Sequence, residues 1–134
     1  MELWKKKGEK GEAIAIKILK LLGVDSIRRP DLVFRVKDKW FSVEVKNKDP
    51  FEPPPAYMQG IPRSQFLKDL DINTTGLTTI LLVRGKENEW LAQFTVKLIP
   101  HKDPRKVRIM DDDLVWFELE QFESAFNFFE GVIK

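Results

Sequence analysis

The sequence predicts an α/β fold in one domain, and three segments carry that prediction. "GEAIAIKILKLLG" has apolar residues at helical spacing, "LVFRVKDKWFSVEVK" reads as two strands about a tight turn, and "LTTILLVRG" reads as a buried strand. At 134 residues the chain is long enough to bury a core without disulfides or metals.

The first helix is expected from about Gly11 to Leu22, with Gly23 ending it. Ala15, Ile18, Leu19 and Leu22 form its inward stripe. Glu12 precedes Ala15 by three residues and Leu19 by seven, so it extends that stripe at the first turn. A glutamate at a helix start also complements the helix dipole, which accounts for Glu9 as well. Direction favours Glu12.

Two strands follow, Leu32 to Val36 and Trp40 to Val45. With Lys37 and Asp38 at the tip of a tight turn, Val36 pairs with Lys39, and continuing the ladder sets Asp31 against Glu44. Their Cβ atoms would then stand roughly 4.5–5.5 Å apart. A three-residue loop would shift this register by one. Glu44 and Lys46, two apart, share one face of their strand.

"NKDPFEPPPAYMQGIP" carries five prolines between Pro50 and Pro62 and is expected to be a long loop without regular structure. "RSQFLKDLDI" suggests a helix, and "EWLAQFTVKLIP" a strand joined to "LTTILLVRG" by the turn-forming "GKENE". After the polar connection "HKDPRKVRIMDDD" a final helix is expected over about 114–132. Its Leu119, Phe122, Phe126 and Phe129 fall at helical spacing, with Phe128 and Val132 nearby, suited to the core or to a dimer interface.

Composition narrows the chemistry. Cysteine is absent, which excludes disulfides, zinc-thiolate sites, iron–sulfur clusters and cysteine nucleophiles. The single histidine, His101, lies in a loop-like stretch and reads as a surface residue. No apolar run approaches the roughly 20 residues of a membrane span, and the polar N-terminus does not resemble a signal peptide. A cytoplasmic protein without a membrane partner is expected. Residues 1–48 hold 13 Lys/Arg against 7 Asp/Glu, and the remainder 10 against 14, so the net +2 hides a basic first third. Basic charge around acidic residues suits a polyanionic substrate and a cation held by the acids. Abundant Lys and Glu without Cys also suits a thermophile.

Two facing carboxylates are destabilising without something between them. Mg²⁺ meets that need, since it is held by one or two carboxylates with waters and phosphate oxygens. Lys46 is then placed to orient a water or to offset charge developing at phosphorus. A metal-activated water attacking a phosphodiester is the chemistry such a site supports.

Glu12 on a first helix, then Pro30-Asp31, then Glu44-Val45-Lys46, with 13 residues from Asp31 to Glu44, resembles the PD-(D/E)XK nuclease superfamily. The likeness is greatest to its archaeal Holliday junction resolvases and small virus-type nucleases, and it covers residues from about 8 to 96. It implies a restriction-endonuclease-like core, a mixed central β-sheet flanked by helices. It implies that Asp31, Glu44, the Val45 carbonyl and Glu12 hold Mg²⁺, with Mn²⁺ able to substitute, and that Lys46 assists the attacking water. Gln65 in "SQFLKDL" fits the family's glutamine on the following helix; Gln59 fits it less well. Arg28, Arg29, Lys7, Lys10, Lys48 and Gln65 are the candidate DNA contacts, with Lys5 and Lys6 beside them. The resemblance further implies a homodimer cutting branched DNA. Another nicking, flap or restriction-type nuclease of viral or plasmid origin would carry the same four residues; the alternative of a non-catalytic nucleic-acid-binding module would keep the fold but is expected to lose at least one of them.

Overall fold

The first helix, α1 (Glu2–Leu21), begins nine residues before the expected start. In the computed structural model residues 2–28, 32–50, 57–73, 76–100, 108–109 and 112–134 are described, with backbone alone for 2–9, 73, 108–109 and 112–113. Helix propensity argues against helix through Gly8 and Gly11, each costing about 1 kcal/mol relative to Ala. Tertiary packing overrides it. A Cβ on Gly11 would overlap Val45 Cγ1 and lie 3.0 Å from Trp90 Cη2, so the glycine lets the helix backbone close onto the sheet. At the other end Gly23 takes φ +89°. Its N–H donates to Lys20 O, and that of Val24 to Leu19 O, which is the expected glycine stop.

Strands β1 (Ile27–Arg28), β2 (Val33–Val36) and β3 (Lys39–Lys46) come next. The β2–β3 register is the predicted one: Val36 pairs with Lys39, Arg35 with Trp40, Phe34 with Phe41 and Val33 with Ser42. The N–H of Val43 donates to Leu32 O, which carries the ladder one residue further. Asp31 lies outside the described residues, as do Arg29, Pro30 and His101.

The proline-rich stretch is not wholly irregular. Its end forms β4 (Met58–Pro62), which leads into α2 (Arg63–Asn73). β4 finds its partner far along the chain, in β8 (Asp112–Glu118), after β5 (Leu77–Arg84), β6 (Trp90–Phe94) and β7 (Arg108–Ile109). Pro62 is tolerated because it terminates the strand. Gly60 pairs with Trp116, and a Cβ there would stand 3.0 Å from the indole, so the glycine makes room for the ring.

The expected helix over 114–132 is also corrected. Its first part is the strand β8, followed by a single 3₁₀ turn (Leu119–Gln121), β9 (Glu123–Ser124) and α3 (Ala125–Ile133). Val115, Trp116 and Phe117 are strand formers, and pairing with β4 decides between two readings that aromatic spacing leaves open. Ser124 caps α3 by accepting from the Asn127 N–H. Phe128 and Phe129 point inward while Phe126 stays 43% exposed, so the aromatic face differs from the predicted stripe.

A six-stranded mixed sheet runs β1-β2-β3-β5-β6-β9, with β3 parallel to β5 and every other neighbour antiparallel. The parallel step needs a crossover, and β4 with α2 forms it. β4, β8 and β7 make a second, antiparallel sheet. β5 is buried on both faces. Its Ile80 and Leu82 join Ala15 and Leu19 of α1 and Phe128 and Phe129 of α3 in one cluster. Leu81 and Val83 join Phe66 of α2 and Val115 and Phe117 of β8 in the other.

Candidate active site

On β3, Phe41 and Val43 point into the first cluster, so Glu44 and Lys46 must take different faces from Val43 and Val45. Glu44 pairs with Leu81 and Lys46 with Val83, which sets both charges on the α2 side of the sheet. Here the strand leaves its apolar pattern. β5 continues the core with leucine and valine, while its neighbour β3 presents a carboxylate and an ammonium.

Helix α2 meets them. Gln65 and Asp69 stand four residues apart and so on one helix face. Gln65 Nε2 donates to Glu44 Oε2 at 2.5 Å. Asp69, only 2% exposed, shares a hydrogen bond with the Glu44 carboxyl. Its Oδ2 is buried and receives no hydrogen bond from the described residues. Burial, then the shared bond and the charge of Glu44, push the Asp69 carboxyl up to about 8, against the opposing pull of Lys46 and Lys68. A buried carboxyl beside another carboxylate, as Asp69 is, holds its proton unless a cation joins the pair.

Lys48, two residues beyond Lys46, has its pKa lowered by burial and then by the charge of Lys46. The backbone there is held by Gln59, 1% exposed, whose Nε2 donates to Lys48 O at 2.7 Å and to Arg84 O at 3.0 Å. Arg84 is ion-paired with Asp49. Gln59 therefore fastens the segment after β3 to the end of β5.

The predicted residues divide accordingly. Glu44 and Gln65 are in contact, with Lys46 on the same face and Lys48 just beyond. Glu12 is half-buried on the sheet-facing side of α1, next to Gly11, but α1 covers the opposite face of the sheet. Lys10 lines a cleft with Asn47, Arg84 and Trp90 at the ends of β3 and β5. The Arg28 guanidinium stacks over Trp40 at 4.8 Å, on the Glu44 face of β3 and four residues before it. Asp31 and Arg29, and the side chains of Lys5, Lys6 and Lys7, lie outside the described residues. Among the described residues no three Asp, Glu, His or Cys side chains are grouped to hold a metal.

Asp69 is the residue that sequence reasoning missed. Its signal was present: it lies three residues after Phe66 and four after Gln65, on the inward side of the helix.

The chain is thus a six-stranded mixed sheet with helices on both faces, its Glu-x-Lys strand β3 lying beside its parallel partner β5. Two solved structures share this fold. Hjc, a Holliday junction resolvase from the archaeal hyperthermophile Archaeoglobus fulgidus, aligns over 88% of this chain and 91% of its own, with a TM-score of 0.62 and 12% identity. A fusselovirus nuclease aligns over 93% and 90%, with a TM-score of 0.53 and 10% identity. At such identity the likeness is one of fold. No protein-family profile matches the sequence, and no curated protein matches it either. No helix among the described residues is long and apolar enough to cross a membrane.

Proposed function

We propose that this chain is a divalent-metal-dependent endonuclease that hydrolyses phosphodiester bonds in branched DNA. The observation that carries the reading is Glu44 and Lys46 on one face of β3, with Gln65 bonded to Glu44, in a fold shared with two nucleases. Pure packing gives no reason for a charged pair beside Leu81 and Val83.

The donor set suits a hard cation. Glu44 and Asp69 offer carboxylate oxygens, one of them buried without a donor, and the chain has no cysteine to favour softer metals. A register continued by one residue would bring Asp31 to Glu44, and with the Val45 carbonyl would complete the ligands on that face; Glu12, which the resemblance adds to the set, comes from α1 on the other face and would reach the cation only around the end of β3. A bound Mg²⁺ or Mn²⁺ supplies a water of lowered pKa and polarises the phosphoryl oxygen. Gln65 fixes the Glu44 carboxylate in one orientation. Lys46 offsets charge at the scissile phosphate and orients the water. Lys48, Lys10, Arg28, Arg29 and Lys7 bind flanking phosphates, a mode that senses shape rather than sequence. A homodimer would set two such sites about a two-fold axis for paired nicks.

The test is cleavage of an end-labelled four-way junction with Mg²⁺, beside linear duplex, flap, single strand and RNA, by wild type and Glu44→Ala. Symmetric nicks in the junction, absent in the variant, are expected. Cleavage of another substrate instead would keep the chemistry and discard the junction. Binding without cleavage in Mg²⁺ or Mn²⁺ would make the chain a binding module.

A further inference from the structure

A buried acid rarely meets a second carboxylate without a purpose, and here buried Asp69 meets half-buried Glu44. We propose that Asp69, from helix α2, is itself a ligand of the active-site cation, so that helix and strand clamp the metal between two carboxylates. The inference rests on the metal-nuclease reading and adds to it a residue outside the Asp31, Glu44 and Lys46 pattern.

Three observations carry it. Asp69 is 2% exposed, where an acid is rarely placed unless it is paired or bound to a metal. Its carboxyl touches that of Glu44, so the two oxygen donors already converge. Its Oδ2 receives no hydrogen bond from the described residues. The helix is a rigid mount: Phe66 of α2 lies in the second core cluster with Leu81 and Phe117, its ring 5.2 Å from that of Phe117. Gln65 bonds Glu44 from the preceding turn. A structural role alone would be met better by asparagine, which donates to Glu44 without a second buried acid. A cation between the two acids satisfies both, as water would an exposed pair.

The test is calorimetric titration of the DNA-free protein with Mn²⁺, for wild type, Asp69→Asn and Glu44→Ala. Asp69→Asn keeps the shape and the hydrogen bond to Glu44 and removes only the ligand charge. We expect it to weaken Mn²⁺ binding more than about tenfold while its melting temperature stays at or above that of wild type. Asp69→Ser, smaller and neutral, is the second variant and should show the same loss. Wild-type affinity in both neutral variants, with Glu44→Ala impaired, would overturn the Asp69 assignment and leave the nuclease reading standing. Absence of Mn²⁺ and Mg²⁺ binding by wild type would overturn both.

Discussion

The two faces of the six-stranded sheet are built on different principles. Towards α1 and α3 the sheet is apolar throughout the described core: Phe34, Phe41, Val43, Ile80 and Leu82 meet Ala15, Leu19, Phe128 and Phe129. Phe34 stacks on Phe41 at 5.1 Å and meets Phe129 edge-on at 6.0 Å. Towards α2 the core occupies β5 and then stops, and β3 carries Trp40, Ser42, Glu44 and Lys46 in its place. One face holds the fold together and the other carries the charged residues of the proposed site. The interruption falls beside the parallel β3–β5 pair, near the strand ends where ligands gather in open α/β sheets.

The comparison breaks most sharply if the charged face is cut away. Glu44→Ala should lower Mg²⁺-dependent cleavage by more than about 100-fold, because it removes an oxygen ligand. The mirror experiment is Phe129→Ala on the apolar face. It should destabilise the fold by about 3–5 kcal/mol in denaturant unfolding, through lost burial and the cavity left behind. An intermediate effect is expected at Gln59→Leu, which leaves two backbone carbonyls, Lys48 O and Arg84 O, without their donor. A loss of about 1–3 kcal/mol should follow, with cleavage reduced because the backbone around Lys48 loosens.

Asp69 gives a pH signature. Its folded-state value is raised from 3.8 to about 8, so from about pH 4 upwards the unfolded chain gives up a proton that the folded chain keeps. Stability without metal therefore falls as pH rises through that window and levels off above it. Asp69→Asn should flatten the profile and add about 1–3 kcal/mol at pH 8, read from urea unfolding at several pH values. The smallest effect is Arg28→Ala, which should weaken junction binding modestly and reduce the slope of log K against log salt by about 1. An unchanged slope would confine Arg28 to its stack on Trp40.

Local signals were enough for the hairpin. A two-residue turn with Lys37 at φ +55° sets the β2–β3 register, and alternation then puts Glu44 and Lys46 on one face. The helix at Gln65 and the buried β5 were legible for the same reason, since each declares itself in a short window. What sequence could not show depends on distant partners. β4 is a strand only because β8, more than 50 residues later, pairs with it. The aromatic segment divides into strand and helix because Phe117 belongs to one core cluster and Phe129 to the other. Gly11 reads as a poor helix former until Val45 and Trp90 are seen against it. In "KDLD", Asp69 looks like solvated charge; its inward position on α2 sets it apart from exposed Asp71, but its partner, Glu44, is visible only in the structure.

The most direct test of the division between the two faces is a pair of readings on Glu44→Ala: its melting temperature and its cleavage of a four-way junction in Mg²⁺. A melting temperature at or above that of wild type, with cleavage lost, is the predicted result. A variant that melts well below wild type yet still cuts DNA would contradict it, and would make Glu44 part of the scaffold.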